Sequence, residues 1–128
     1  MEKRGIVSLW LGHVKSEEVL KSITTPAYSD DGDYIPSYFE SRFGFEHPNE
    51  WTKEISFVDE PAGILEELLE GVSYNDVIIP RSSAFSCERE IADYNSVLLY
   101  YDLEYSTKVK IVNEVNCRFE FIGSVSYN

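Results

Sequence analysis

The chain has 128 residues, enough for one domain with its own hydrophobic core, and we expect a single domain over residues 1–128. A hydrophobic content of 43% excludes wholesale disorder, and a formal net charge of −12 disfavours binding to nucleic acid or anionic lipid. We expect neither a membrane span nor a signal peptide. Two cysteines, Cys87 and Cys117, are too few for a disulfide framework and suit reduced thiols, so a cytoplasmic location is expected.

The N-terminal quarter predicts a strand followed by a helix. Gly5–Gly12 is short, rich in apolar residues and bounded by glycines, which is typical of a β-strand. Trp10 lies in this strand, and so large an apolar ring is expected to be covered by another element. Ser16 is suited to cap the following helix, and Pro26 is expected to end it.

The segment Ser29–Asp33 has the composition of a turn, in which Gly32 can adopt a positive φ. Aligned as a twelve-residue EF-hand loop ending at Glu40, it places Tyr34 where the sharp bend requires glycine, so the EF-hand assignment fails. A looser cation site formed by these carboxylates stays open as an alternative.

Ser37 and Glu40 have the spacing of a capping box and predict a two-turn helix ending at Gly44. Lys53–Val58 then alternates between polar and apolar residues and predicts a second strand.

The clearest predicted helix begins near Pro61, a residue suited to the first helical position, and ends before Gly71. Leucines recur at helical spacing on one face, and three acidic residues share the other: Glu66, Glu67 and Glu70. Asp76–Pro80 is predicted to be a short strand or a buried connector. A weaker helical pattern follows over Ser83–Tyr94.

The last third predicts three strands, over Val97–Tyr101, Lys108–Glu114 and from Cys117 onward. Their succession suggests an antiparallel meander. The predicted fold class is therefore α+β: a single domain with a mainly antiparallel sheet, a C-terminal three-strand meander, and three to four helices packed on it.

Negative charge is concentrated between Tyr28 and Ile79, where thirteen acidic residues accompany two basic ones. Regional charge of this kind favours a basic protein partner, although a merely soluble surface is the simpler explanation. The candidate binding residues in this segment are carboxylates, which would steer a partner, and aromatic residues, which would anchor it. They are Asp30, Asp31, Asp33, Tyr34, Glu50, Trp51, Glu54, Glu66, Glu67, Glu70 and Tyr74.

Patterns that carry enzyme chemistry are not found in the sequence. It has no glycine-rich phosphate loop, and its two histidines and two cysteines show no zinc-ligand spacing. We therefore expect a protein that is not an enzyme and needs neither a metal nor a cofactor.

Five short stretches, in order along nearly the whole chain, carry a family resemblance. They are Val7–Gly12, Asp30–Ser37, Leu69–Tyr74, Leu98–Tyr101 and Phe121–Gly123. Together they resemble the immunity protein 22 family of bacterial polymorphic-toxin systems. Ile35-Pro36 and Tyr38-Phe39 resemble, more weakly, the cell-wall-regulator-like immunity superfamily.

The resemblance implies an antitoxin that binds and neutralises a cognate toxin. Combined with the acidic segment, it suggests a basic, nuclease-type toxin whose cleft the acidic face would occupy. Two other functions stay open: a small-ligand or divalent-cation module using Ser29–Asp33, and a structural adaptor.

Overall fold

The structure is a computed structural model that describes residues 2–59, 65–82, 85 and 93–128. In chain order its elements are β1 (Glu2–Val14), α1 (Glu17–Thr24), β2 (Ala27–Tyr28), β3 (Tyr34–Ile35), α2 (Tyr38–Phe43), a 3₁₀ helix (Glu50–Thr52), β4 (Lys53–Phe57), α3 (Leu65–Leu69), α4 (Asn75–Ser82), β5 (Ser96–Leu103), β6 (Ile111–Asn113) and β7 (Cys117–Ser126). Five strands form one antiparallel sheet in the order β4-β5-β1-β7-β6, and β2 pairs with β3 in a small hairpin.

Strand β1 runs through the middle of the sheet and is buried on both faces, which explains its nearly continuous apolar sequence. Leu9 and Leu11 face one side, where they pack with Leu69 of α3 and Ile78 of α4. Trp10 faces the other side. The domain therefore has three layers, with helices on both faces of the sheet.

One layer contains α1 and α2, whose ends form as the sequence predicts. The Ser16 hydroxyl accepts the Val19 N–H at 3.2 Å and begins α1. Both halves of the Ser37–Glu40 capping box are present, and Gly44 ends α2 with φ +79°. Leu20, Phe39 and Phe43 from these helices pack beneath the sheet around Trp10.

Trp10 is fully buried at the centre of an aromatic cluster, which confirms that another element covers it. Its ring centroid lies 5.0–5.7 Å from six others, those of Phe39, Phe43, Phe45, Tyr100, Tyr105 and Phe121. Four of these six pairs are edge-to-face and the Phe45 pair is stacked, and such pairs stabilise the core beyond the area that the rings bury.

The other layer contains α3 and α4 and corrects one prediction. Asp76–Pro80 is neither a strand nor a connector, because it lies within α4 and its Ile78 side chain is completely buried. A short apolar run does not distinguish a strand from a buried helix, and a proline such as Pro80 is disfavoured inside a helix. The predicted helix start at Pro61 and almost all of the predicted helix Ser83–Tyr94 lie outside the described residues.

The α+β fold class is confirmed, with four α-helices and a five-stranded antiparallel sheet among the described residues. The last three strands alternate in direction as in a meander, but β1 lies between β5 and β7. In this strand order β4 is an edge strand of the sheet, and Trp51 lies shortly before it in sequence.

A candidate protein-binding site at the β4 edge

The acidic candidate residues occupy two layers of the domain. Asp30, Asp31 and Asp33 are exposed in the turn of the β2–β3 hairpin, whereas Glu66 and Glu67 are exposed on α3. Glu70 is exposed immediately after α3. The hairpin lies beside α2 and the other group lies across the sheet, so the structure does not bring the two groups into one cluster.

The hairpin is nevertheless attached to the β4 edge. Its Tyr34 hydroxyl contacts both Glu40 carboxylate oxygens at 2.8 Å and donates to the His47 carbonyl at 3.2 Å, just before the 3₁₀ helix. On the same face, the Lys53 ammonium of β4 donates to the Thr24 carbonyl at the end of α1, at 2.7 Å. The chain enters the hairpin directly after this contact.

Glu40 links the hairpin, the start of α2 and the backbone at His47 through hydrogen bonds, a role that its capping-box position does not indicate. It is 1% exposed, and its carboxylate accepts the N–H groups of Ser37 and His47, at 3.2 and 2.7 Å, besides the Tyr34 hydroxyl. A buried carboxylate needs such donors to offset the loss of hydration. Tyr34 therefore has a structural role that fixes the hairpin to α2.

From the opposite face, the turn between α3 and α4 is attached to β4 through Glu54. The carboxylate of Glu54 accepts the Ser73 N–H, at 3.0 and 3.2 Å from its two oxygens. The Tyr101 hydroxyl of β5 donates to Glu54 Oε1 at 2.6 Å. β4 is therefore bonded to the end of α1 on one face and to the α3–α4 turn on the other.

A cleft of about 360 Å³ opens at this edge. It brings together three of the predicted residues, Trp51, Glu54 and Tyr74. Three of its other lining residues, which sequence reasoning missed, are Ser73, Tyr101 and Tyr127. We define these six residues as the aromatic cleft. No local sequence pattern indicates this cleft, because its residues are far apart in sequence. They lie in the 3₁₀ helix, β4, the α3–α4 turn, β5 and the C-terminal end.

Trp51 is the most unusual residue of the aromatic cleft because its side chain is 96% exposed. Asn49 caps the 3₁₀ helix by accepting the Trp51 N–H at 3.1 Å, which fixes the backbone from which the indole projects. A tryptophan held in water on a short, capped helix is an anchor candidate of the kind that interfaces favour.

Tyr74 adds a second exposed ring and a strained backbone. Its φ of +59° lies in the left-handed region, which side chains of this size rarely adopt, and it is 53% exposed. Its ring centroid lies 5.9 Å from that of Tyr101 and 5.0 Å from that of Tyr127. Strain of this kind persists only where surrounding contacts enforce it and is concentrated at functional sites.

The tyrosines behind Tyr74 are held as hydrogen-bond donors. Burial, followed by the hydrogen bond to Glu54, raises the pKa of Tyr101 far above its usual range. The hydrogen bond to Asp102, at 2.6 Å, raises the pKa of Tyr127 to about 12. The same bond, together with the Gly5 N–H, lowers the pKa of Asp102. These phenols therefore stay protonated at physiological pH and donate to carboxylates.

The remaining candidate residues do not join the aromatic cleft. Tyr34 and the three aspartates belong to the hairpin, and the three glutamates belong to the α3 layer. The position of the Glu50 side chain lies outside what the structure describes. Within the described ranges, no group of three or more His, Cys, Asp or Glu residues is arranged to hold a metal ion.

The turn that suggested a cation site is closed by backbone hydrogen bonds. The Ser29 N–H donates to the Asp33 carbonyl, and the Gly32 N–H donates to the Ser29 carbonyl, both at 2.9 Å. Gly32 has the positive φ that the sequence predicts, +87°.

A sequence model of the family described as Immunity protein 22 matches residues 7–128. No curated protein and no solved structure matches the chain. In the part of the chain that the structure describes, no helix is both long and apolar enough to cross a membrane. Immunity proteins are generally non-catalytic, and their role implies a toxin as partner. The chain belongs to the Immunity protein 22 family, and this membership indicates the role of an antitoxin.

Proposed function

We propose that this protein neutralises a basic, nuclease-type toxin in the cytoplasm by docking it over the β4 edge, without catalysing a reaction. The observation that carries the location is the exposure of Trp51, 96%, beside the half-exposed ring of Tyr74. Large aromatic residues of this kind supply most of the affinity at protein interfaces.

The energy available from Trp51 is large enough to matter. A tryptophan buries about 150–250 Å² when it is covered, which at about 25 cal/mol per Å² corresponds to roughly 4–6 kcal/mol before binding costs. After those costs, interface anchors of this type are typically worth about 2–4 kcal/mol. One such residue therefore accounts for a change of at least about thirtyfold in Kd.

The charge of the protein supports a basic partner. The two acidic segments lie in the layers on opposite faces of the sheet, and their negative charge would attract a basic toxin toward either layer. Complementary charge raises association rates above the roughly 10⁵–10⁶ M⁻¹s⁻¹ of neutral docking. Nuclease clefts are basic because they bind phosphate, so a nuclease is a suitable partner for a protein with a formal net charge of −12.

The proposal is tested by co-expressing the protein with the toxin encoded beside it, then measuring cell survival and copurification. We expect survival and a stable complex with the wild-type protein. Trp51→Ala should weaken the complex by at least about thirtyfold in calorimetry.

Val115→Ala is the matched control, because Val115 is also exposed, 99%, but lies between β6 and β7 at the opposite edge of the sheet. Equal losses for the two variants would reject the β4 edge as the docking surface. Failure of the wild-type protein to bind or protect would reject the antitoxin function itself.

A further inference from the structure

The aromatic cleft combines exposed aromatic rings with a single carboxylate that is only partly satisfied. Oε1 of Glu54 accepts two short hydrogen bonds, from Tyr101 at 2.6 Å and from Ser73 at 3.0 Å. Oε2 shares the same Ser73 N–H at 3.2 Å. A carboxylate oxygen can accept two hydrogen bonds, so Oε2 retains capacity for a donor entering from solvent.

We propose that the aromatic cleft receives an arginine side chain of the toxin, which donates to Glu54 and stacks on Trp51 and Tyr74. This inference rests on the proposed function, because it assigns the chemistry of the partner at the same site. It commits the occupant to a guanidinium group carried on a protein loop.

The geometry favours arginine over an apolar anchor. The Glu54 carboxylate lines the aromatic cleft beside the Tyr101 and Tyr127 hydroxyls, and an apolar side chain would leave this charged group desolvated without a new partner. Both phenols already donate to carboxylates, at 2.6 Å each, so the free capacity at the base is for a donor. A guanidinium supplies that donor together with a positive charge.

Arginine also fits better than lysine. Its planar guanidinium stacks on aromatic faces while its edge donates to a carboxylate, whereas an ammonium is a compact, strongly hydrated charge. Tyr74 and Trp51 are the exposed rings of the aromatic cleft, and the tyrosines behind Tyr74 hold its ring at 5.0 and 5.9 Å. A volume of about 360 Å³ is at the low end of the roughly 300–1,000 Å³ of small-ligand pockets, which suits one long side chain.

The surrounding charge is complementary to a cation. Residues 65–82, which form α3, the turn and α4, contain four acidic residues and one basic residue, Arg81. The Arg81 guanidinium donates to the carbonyls of Ser126 and Asn128, at 2.8 and 3.0 Å. Lys53 points to the other face of the sheet, where it donates to Thr24.

The first test uses Glu54→Gln in the complex with the toxin. Glutamine keeps an oxygen that can accept from Tyr101 and Ser73, so the free variant should still fold, which its urea midpoint verifies. The loss of the charge should weaken the complex about tenfold. A complex of unchanged affinity would overturn the inference.

The second test needs no toxin. Blocked arginine (N-acetyl-arginine methylamide) is titrated into the protein, and the Trp51 indole N–H resonance is followed by NMR. Blocked citrulline, which has the same shape without the charge, is the control ligand. We expect saturable shifts with arginine. The affinity obtained from them should be at least about tenfold lower for citrulline, and also for arginine binding to Glu54→Gln.

The outcomes separate the two proposals. If Glu54→Gln leaves the affinity for the toxin unchanged, and arginine and citrulline give equal shifts, the arginine inference is overturned. The antitoxin function is not affected by that result. Arginine-specific shifts without any toxin complex would overturn the proposed function and support the chemistry of the aromatic cleft.

Discussion

Individual residues at the β4 edge combine exposure with backbone strain, and Tyr74 shows both. Its φ of +59° would suit glycine or asparagine, yet a tyrosine occupies the position immediately before α4. The carbonyl of Tyr74 accepts the N–H groups of Val77 and Ile78, both at 2.9 Å, which keeps the strained turn in place. The sequence offered no sign of this strain, because it arises from how α3 and α4 are joined.

At Tyr74 we therefore expect the glycine variant to be more stable than the alanine variant, the reverse of the usual order. Both substitutions remove the ring, but only Tyr74→Gly also relieves the left-handed strain, so we expect it to be about 1 kcal/mol more stable than Tyr74→Ala. Urea denaturation of the two variants measures the difference. An alanine variant as stable as the glycine variant would show that the backbone at this position is relaxed.

His47 is a partly buried titratable group near the same edge. Its Nε2 lies 2.7 Å from the Thr52 hydroxyl, and its ring packs on Tyr100 with centroids 5.2 Å apart. Burial lowers the pKa of His47, an effect larger than the opposing influence of Thr52 and Glu40. The unfolded chain therefore takes up this proton at a higher pH than the folded protein does.

Stability should consequently be complete above pH 6.5, the ordinary pKa of histidine, and fall as the pH decreases from there toward the lowered pKa. We expect His47→Gln to flatten the dependence of the urea midpoint on pH between 7.5 and 5.5. His13→Gln, at the only other histidine of the chain and in an exposed position, is the matched control. The same flattening in both variants would contradict the assignment to His47.

At the scale of elements, the pairing of β1 with β7 leaves no room for a side chain at Gly12. A Cβ atom there would overlap the ring of Phe119 and lie 3.2 Å from the Arg118 carbonyl oxygen. Phe119 is 2% exposed, and its ring packs on Phe39 with centroids 5.2 Å apart, so the ring cannot move aside.

We expect Gly12→Ala to destabilise the protein by about 1–3 kcal/mol, as overpacking of a core does. Gly71→Ala is the matched control, because a Cβ atom at Gly71 would meet nothing within 4 Å. That variant should unfold within about 0.5 kcal/mol of wild type in urea. Similar losses for both would mean that the approach of β7 does not set the cost at Gly12.

The elements that could be predicted are those with local causes. Ser16, the Ser37–Glu40 capping box and Gly44 act within a few residues of their own helix, so the spacing alone indicates α1 and α2. The helix α4 could not be predicted in this way, because the buried Ile78 is stabilised by contacts with the opposite sheet face. Tertiary packing there outweighs the disfavoured Pro80.

For the whole molecule, the order of strands decides where the acidic segments lie. Antiparallel pairing was predictable, but the insertion of β1 between β5 and β7 depends on contacts between distant parts of the chain. Trp51, Glu54 and Tyr74 were identified from charge and aromatic content, whereas Tyr101 and Tyr127 looked like ordinary strand residues. Only the folded sheet shows that they share one aromatic cleft.

This arrangement predicts that the two acidic segments contribute unequally to toxin association. Reversing the charges of Glu66, Glu67 and Glu70 by substitution with lysine should slow association more than the same change at Asp30, Asp31 and Asp33. The three glutamates lie on the layer that contributes Ser73 and Tyr74 to the aromatic cleft. Each triple reversal should also reduce the dependence of the rate on salt. Stopped-flow kinetics at two ionic strengths measures both effects, and rates unchanged by either variant would reject steering by these carboxylates.

The two tryptophans of the chain occupy opposite extremes, since Trp10 is fully enclosed and Trp51 is 96% exposed. The protein therefore carries two tryptophan fluorophores that report different events. Emission from Trp10 should shift to longer wavelength only when the domain unfolds, whereas Trp51 should be open to quenching by iodide in the free state and protected once a partner covers it. Fluorescence of the unlabelled protein can thus follow folding and complex formation separately.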